Sequence, residues 1–223
     1  MKHDPTLSFE TKNHEADFCV VGGGMSGLCT AIAAARNGIK TILVQDRPVL
    51  GGNASSEVRM WICGAHGKDN VETGILEEIK LENCHRNPQL KYTIWDTVLY
   101  EKAHFEPNLK LMLNCSINSV KTQGNKISEV SGWQLTTQTN HAIKAKFFAD
   151  CSGDSVLRVC GAELRRGREA RDEFNEAHAP DVADLKTMGN SLLLQVREID
   201  PEDHVPFVKP KWANTYQEEQ LPH

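Results

Sequence analysis

The sequence predicts an α/β fold: a parallel sheet carrying helices, with an inserted antiparallel β-meander and the start of a second, incomplete domain. Three observations predict it. An apolar run, "ADFCVV" (16–21), stops at a glycine cluster. A helix pattern and a second apolar run follow within about 30 residues, the length of a βαβ unit. Alternating hairpin-like segments then separate that unit from a further apolar run, "FFADCSGD" (147–154). Bulk properties agree with this, since 223 residues of 39% hydrophobic content support one sizeable core or one domain plus part of another.

Taken in order, residues 1–15 are polar and read as an N-terminal tail. The run 16–21 suits a buried parallel strand, because it is continuously apolar and ends in glycine. Small residues dominate Met25–Asn37 (Ser26, Gly27, Ala31, Ala33, Ala34, Ala35), so that helix can lie close on a sheet, and Asn37-Gly38 supplies its stop. "KTILVQ" (40–45) is the second strand, completing a βαβ unit over 17–45. Residues 46–70 form a glycine-rich irregular loop, a length that in a compact domain points to function. Apolar residues spaced by three and four over 71–85 and 92–105 predict two helices, and "LKLMLNC" (109–115) a strand. Gly124-Asn125 is a hairpin signal inside a meander over about 116–147, which feeds a return strand at 147–151. Charge density rises after about 162. "NSLLLQVREI" (190–199) reads as the opening strand of the second domain, within a 166–223 segment of linker and domain start.

Gly22-Gly23-Gly24-Met25-Ser26-Gly27 is GxGxxG, placed after a predicted strand and at the start of a predicted helix. That context marks a Rossmann-like dinucleotide site. Gly22 permits the tight turn, Gly24 lets backbone approach a pyrophosphate, and Gly27 lets helix and strand touch. The helix N-terminus then offers free N–H groups and the positive end of its dipole. An acid for the ribose hydroxyls is due at the end of the second strand, where Gln45 stands with Asp46 beside it. Two assignments stay open: an amide contact from Gln45, or a carboxylate contact from Asp46. Asp46 beside Pro48 also suits a turn cap, and Arg47 suits either the cofactor or solvent.

A second pair, Gly51-Gly52-Asn53, then a polar loop, a meander and "ADCSGD" (149–154) separate this pattern from a nicotinamide-binding domain. With "VQDRPVLGGNASSEVRMW" (44–61), the chain resembles the FAD-dependent oxidoreductases of the two-dinucleotide-binding-domain flavoprotein superfamily, from about residue 16 to the C-terminus. The resemblance implies an FAD-binding domain over 16–165. In it Gly22, Gly24, Met25, Ser26 and Gly27 hold the pyrophosphate, and Gln45, Asp46 and Arg47 lie at the ribose. Gly51, Gly52, Asn53, Ser55 and Ser56 run along the ribityl chain and flavin ring, backbone near Val120 approaches the adenine, and Ser152, Gly153 and Asp154 make a second contact. Asp154 is equally suited to cap a helix over "SVLRVCGA". The resemblance also implies a longer chain with a substrate domain from near Lys186, so this sequence reads as an N-terminal piece that binds FAD weakly.

The activity so implied is hydride transfer between an organic substrate and bound FAD. The alternatives are an NAD-dependent dehydrogenase and a non-catalytic nucleotide-binding fragment. Arg59 and His66, after the second glycine pair, are the catalytic candidates: Arg59 to balance charge or hold a substrate oxygen, His66 as a general base. Trp61 suits ring stacking or core. Cys63 lacks a near partner for a dithiol relay, and with His66 it is a candidate for covalent flavin attachment. Seven cysteines with no CxxC pair predict buried reduced thiols, with no disulfide framework and no metal site. The net charge of −5 argues against nucleic acid and anionic membrane as partners, which leaves a small-molecule substrate. The basic run 165–171 is interleaved with acids and reads as a solvated face. No apolar stretch approaches the roughly 20 residues of a membrane span, and the N-terminus lacks a signal-peptide pattern, so a cytoplasmic location is expected.

Overall fold

A computed structural model of the chain describes residues 9–64, 67–68, 70, 72–153, 156–187, 198–200, 202–203 and 208–217. The chain divides into two units, Met1–Thr187 and Met188–His223. In the second, the described residues form turns closed by Asp203 N–H to Asp200 O at 2.8 Å and Ala213 N–H to Pro210 O at 3.0 Å. Most of the strand expected over 190–199 lies outside the described residues. The segment 166–187, assigned by sequence to a linker, belongs to the first unit. There the backbones of Arg168 and Asp184 form an antiparallel bridge, and Arg165, Arg168 and Arg171 pair with Glu173, Asp184 and Asp181.

The first unit opens with β1 (Thr11–Val21), α1 (Met25–Arg36) and β2 (Thr41–Val44). Helices α2 (Gly74–Arg86) and α3 (Tyr92–His104) follow, then β3 (Leu109–Met112). The antiparallel strands β4 (Cys115–Gln123), β5 (Lys126–Gln134) and β6 (Thr139–Asp150) come next, with short helices α4 (Val156–Cys160) and α5 (Arg171–Phe174) after them. One sheet holds all six strands in the order β3-β2-β1-β6-β5-β4. The pairs β3–β2, β2–β1 and β1–β6 are parallel, and β6–β5 and β5–β4 antiparallel.

β1 begins at Thr11, inside the stretch read from sequence as a tail. Its first residues are polar and gain their strand from a partner remote in sequence, since Thr11 pairs with Asn140 and the register holds to Val21 with Asp150. The run 109–115 is also not one strand. Asn114 sits at φ 54° and breaks it, so β3 ends at Met112 and β4 starts at Cys115. Two residues therefore join strands at opposite edges of the sheet. Three residue steps reach at most about 11 Å, whereas five strand spacings in a flat sheet come to about 24 Å. The sheet must curl, and it folds the meander over one face of the parallel strands. β6 serves both parts at once: residues 139–144 pair with β5, and 140–150 pair with β1.

The alternation of β1 and β2 feeds two cores. Val20 and Leu43 face the helices, packing with Leu28, Ile32, Ile79, Trp95, Val98 and Leu99. Cys19, Val21, Ile42 and Val44 face the folded-over meander, with Met112, Cys115, Val130 and Ile143. At the rim of the helical layer, Arg36 of α1 donates to both carboxylate oxygens of Glu78 in α2, at 2.7 and 2.9 Å, and to Glu106 at 3.0 Å. Arg36 and then Lys102 of α3 hold the Glu78 carboxyl down at about 2.

A polar chain crosses the opposite end of the sheet. Lys110 Nζ donates to His14 Nδ1 at 3.0 Å. That leaves the proton of His14 on Nε2, which donates to His141 Nδ1 at 2.8 Å. His141 in turn donates from Nε2 to Gln134 Oε1 at 3.1 Å. Burial, then the charge of Lys110, lowers the pKa of both rings, with Lys12 adding to the effect and Glu10 opposing it at His141. Both histidines are thus neutral in the folded protein and accept a proton more readily once unfolded. Their contribution is present above the unfolded value of about 6.5 and is lost as pH falls through the lower folded values. The urea midpoint of unfolding is therefore expected to fall between pH 7.5 and pH 5, and His141→Gln, which keeps a donor and an acceptor, to show a smaller fall.

Candidate functional site

β1 delivers the chain to the glycine turn at the C-terminal end of the parallel strands, where ligands of open α/β sheets bind. Gly22 has φ 100°, and a Cβ there would stand 2.2 Å from the carbonyl oxygen of Cys151. That position is therefore closed to any side chain by conformation and by space. Gly27 packs as tightly, with a Cβ falling 1.9 Å from the Gly22 oxygen. Gly24 is the opposite case. A Cβ there meets no protein atom within 4 Å, so its space belongs to the open cleft. Gly24 is also the N-cap of α1, with no side chain capping it and no acid in the first turn, which leaves the helix end receptive to an anion.

The second glycine pair is part of the same structure. Gly51 donates its N–H to the Gly23 oxygen at 2.8 Å, and Gly24 and Gly51 form a parallel bridge. Gly51 has φ 104°, and a Cβ there would come within 2.7 Å of Leu99. Beyond it a 3-10 turn, Gly52–Ala54, is held by Ser55 N–H to Gly52 O at 3.0 Å and by Trp95 Nε1 to Ala54 O at 2.8 Å. Together with the ends of β2, β4 and β6, these turns enclose a cleft of about 490 Å³. Gly22, Gly24, Asp46, Gly52, Asn53 and Gly153 are among the residues that line it.

Gln45 and Asp46 divide clearly. Gln45 is 4% exposed, and its Oε1 accepts the Gly23 N–H at 2.7 Å while its Nε2 donates to Val49 O at 3.1 Å. Each end of the amide thus makes one contact with the protein's own backbone. Both residues line the cleft, and Asp46 is the exposed one of the two. Arg47, also on the wall, is bound to Glu57 at 2.9 Å.

The meander reaches the cleft through Cys115, Ser116 and Ile117. Val120, expected there from sequence, lies three residues further along β4, paired with Val130 and packed on the second core. The correction follows from the strand start: the chain passes the cleft as it leaves Asn114. At the end of β6, Ser152 donates to Asp150 Oδ1 at 2.5 Å and accepts from Val156 N–H at 3.4 Å, so it supports the start of α4 while lining the cleft. Asp154 lies outside the described residues. Burial pushes the Cys115 thiol up to about 11 and raises that of Cys151, so both sulfurs on the cleft stay protonated near neutrality.

Ser26, exposed in the first turn of α1, bonds through its side chain to the thiol of the cleft residue Cys151, and Met25 packs its side chain against the helical core. Several other candidates are not at the cleft. Ser55 is buried beneath the turn, and the Ser56 N–H is taken by Asp96 at 2.9 Å. Arg59, in a left-handed conformation at φ 62°, donates to Ser56 O at 3.1 Å, and its guanidinium lies over the Tyr92 ring at 5.6 Å. That ring lines a separate pocket of about 370 Å³ with Met60, Trp61, Ile62 and Trp95. The catalytic role expected of Arg59 has no support in this placement, and Trp61, 72% exposed, is not core. His66 lies outside the described residues. Cys63 is exposed, all seven cysteines are free, and no cluster of three metal-ligating side chains occurs among the described residues. Sequence reasoning missed Glu57, Val58, Ser116 and Ile117 on the cleft wall, because nothing in their spacing marks them.

A glycine turn after the first strand, a helix dipole behind it and an acid at the second strand end define a dinucleotide-binding domain. The chain matches the family model described as FAD dependent oxidoreductase over residues 17–222, and it belongs to that family. FAD is accordingly its cofactor. It is 26% identical over 176 residues to thiamine thiazole synthase of Thermotoga maritima, covering 72% of this chain and 66% of that protein. It is 52% identical over 40 residues to mitochondrial dihydrolipoyl dehydrogenase of Schizosaccharomyces pombe, covering 18% of this chain and 8% of that protein. Among solved structures, a myxobacterial FAD-dependent chondrochloren halogenase aligns with TM-score 0.49 and 16% identity, covering 70% of this chain and 41% of that one. The matches thus span under two thirds of each of these proteins. Among the described residues, no helix is long and apolar enough to cross a membrane.

Two glycine variants separate folding from binding. Gly22→Ala meets backbone at 2.2 Å and is expected to destabilise the fold by about 1–3 kcal/mol or more. Gly24→Ala meets nothing and is expected to change stability by less than about 1 kcal/mol, yet to weaken FAD binding strongly, because its methyl occupies the cleft. Urea unfolding and flavin titration on the two proteins check this.

Proposed function

We propose that this chain is the FAD-binding portion of an oxidoreductase in which a hydride passes between a small organic substrate and the flavin. The observation that carries the reading is the union of the two glycine turns into one cleft, through Gly51 N–H to Gly23 O and the Gly24–Gly51 bridge. A nucleotide alone needs the first turn. A cofactor that continues past its pyrophosphate along a second glycine backbone needs both. When bound, FAD supplies the two-electron acceptor, and the protein supplies position and environment.

In this reading Gly24 and the first turn of α1 receive the pyrophosphate. Asp46 accepts hydrogen bonds from the adenosine ribose with the strength of a charged acceptor. The backbone at Ser116–Ile117 flanks the adenine, Gly52 and Asn53 follow the ribityl chain, and Ser152–Gly153 closes the opposite wall. The Arg47–Glu57 pair holds the rim between the second strand and the loop. The cleft thiols, protonated near neutrality, neither attack nor relay as thiolates.

The test is spectroscopic. The purified protein is expected to show oxidised-flavin absorbance, either as isolated or after addition of FAD, and to release FAD on denaturation. A protein that takes up NAD but not FAD would overturn the reading. Asp46→Asn is expected to bind FAD on the order of tenfold more weakly, with an unchanged unfolding midpoint.

A further inference from the structure

We propose that the pocket of Trp61, Tyr92 and Trp95 is a binding site for a planar aromatic carboxylate, separate from the cofactor cleft. Its volume of about 370 Å³ falls within the ~300–1,000 Å³ usual for small-molecule sites. The two cavities share the 3-10 turn, since Asn53 lines the cleft and Ala54 lines this pocket. No residue lines both, so the proposal does not rest on the FAD reading.

The walls supply apolar surface for a flat ring. Trp61 and Leu90 are 72% and 76% exposed, although both are large apolar side chains. Tyr92 and Trp95 of α3 add two more rings, and both are held in place. Trp95 Nε1 donates to Ala54 O at 2.8 Å, and the Tyr92 hydroxyl donates to Arg59 O at 2.9 Å. The connection between α2 and α3 is fixed by buried Asn87, which donates to Lys91 O and accepts the Lys91 N–H, each at 2.8 Å. The pocket is therefore preformed, and three aromatic side chains meet in it, a setting that favours an aromatic guest.

The side-chain polar groups left over on these walls are donors. Asn87 Oδ1 is taken by the Lys91 N–H, and Asn83 Oδ1 accepts from Asn87 Nδ2 at 3.0 Å. Among the described residues, Asn83 Nδ2 donates to no protein group and the Lys91 ammonium forms no ion pair. The Lys80 ammonium stands 3.5 Å from Glu77 Oε2, a buried oxygen that takes no hydrogen bond, so Lys80 keeps its donors. No carboxylate lines the pocket. Two ammonium groups and an amide N–H call for an anionic acceptor, and a carboxylate matches them with charge-assisted hydrogen bonds. Glu77 offsets part of the Lys80 charge, which makes Lys91 the stronger anchor. A neutral ring would leave the cations unused, and an aliphatic acid would leave the aromatic walls unused.

Calorimetric titration of the whole chain with cinnamate, cinnamyl alcohol and cyclohexanecarboxylate tests this, without FAD and with FAD in excess. Cinnamate is expected to bind at one site in both conditions, and each of the other two about tenfold more weakly or worse. Trp61 and Lys91 are exposed, so Trp61→Ala and Lys91→Met are expected to leave the urea midpoint of unfolding in place. The first is expected to weaken cinnamate by about tenfold and the second by about fivefold, with cinnamyl alcohol unchanged by the second. No saturable uptake of cinnamate up to about 10 mM overturns the proposal. Cinnamyl alcohol binding as well as cinnamate overturns the recognition of a carboxylate, and cyclohexanecarboxylate doing so overturns that of a ring. Cinnamate affinity untouched by Trp61→Ala puts the ligand elsewhere, and competition with FAD puts it in the cofactor cleft; either result overturns the site. A chain that takes up no FAD overturns the FAD reading alone, and the titration without FAD still decides the pocket.

Discussion

The site depends on one backbone contact between two glycine turns thirty residues apart in sequence. Gly51 can donate to Gly23 at 2.8 Å only because both chains pass each other without side chains between them. Each neighbouring position enforces that approach from a different side: Gly22 against the Cys151 carbonyl, Gly23 against Gln45 and Leu50, Gly51 against Leu99. A methyl at any of these would push one turn off the other. Glycines are costly in the unfolded state, and their concentration here shows where the fold accepts that cost to bring backbone donors to a ligand.

What holds the turns in register is the sheet beneath them. β1 sits between parallel partners on both sides, β2 and β6, and all three end at the cleft. The helical layer clamps this sheet from one face, through Val20, Leu43 and Leu50 packing on Leu28, Trp95 and Leu99. Trp95 connects that core to the site directly, because its indole N–H holds the Ala54 carbonyl of the second turn. The meander clamps the other face. Its two-residue link at Leu113–Asn114 is short enough to force the sheet to curl, and this curling brings Cys115–Ile117 to the cleft wall. Strand connectivity and cleft shape are one constraint.

The electrostatics follow from the same geometry. The α1 end has no acid in its first turn and no side-chain cap, so its positive dipole end is uncompensated by protein. The buried residue nearest beneath the turn, Gln45, is neutral, and the one charged acceptor at the strand end, Asp46, faces the cleft. Away from the cleft, charged and titratable groups gather in the Arg36–Glu78–Lys102 cluster and in the His14–His141 chain. The anions of the cleft wall, Asp46 and Glu57, lie on the β2 and loop side, and the first turn of α1 carries none.

By itself the sequence determined the local elements and the chemistry of the first turn. The apolar run 16–21, the GxGxxG spacing and the small-residue helix face are properties of neighbouring residues, and such short-range patterns specify βαβ units directly. The β4–β5 turn at Gly124 was legible for the same reason. The tertiary structure alone decided what depends on partners remote in sequence. The polar residues Thr11–Glu15 become strand because residues 140–144 of β6 pair with them. Arg59 turns to Tyr92, and the meander reaches the cleft at Ser116–Ile117 instead of Val120. Gln45 stands at the ribose position of the fingerprint, and no local pattern records that Gly23 and Val49 also lie within hydrogen-bonding distance of its amide. Sequence spacing fixes which groups a segment offers, and only packing decides which of them face one another.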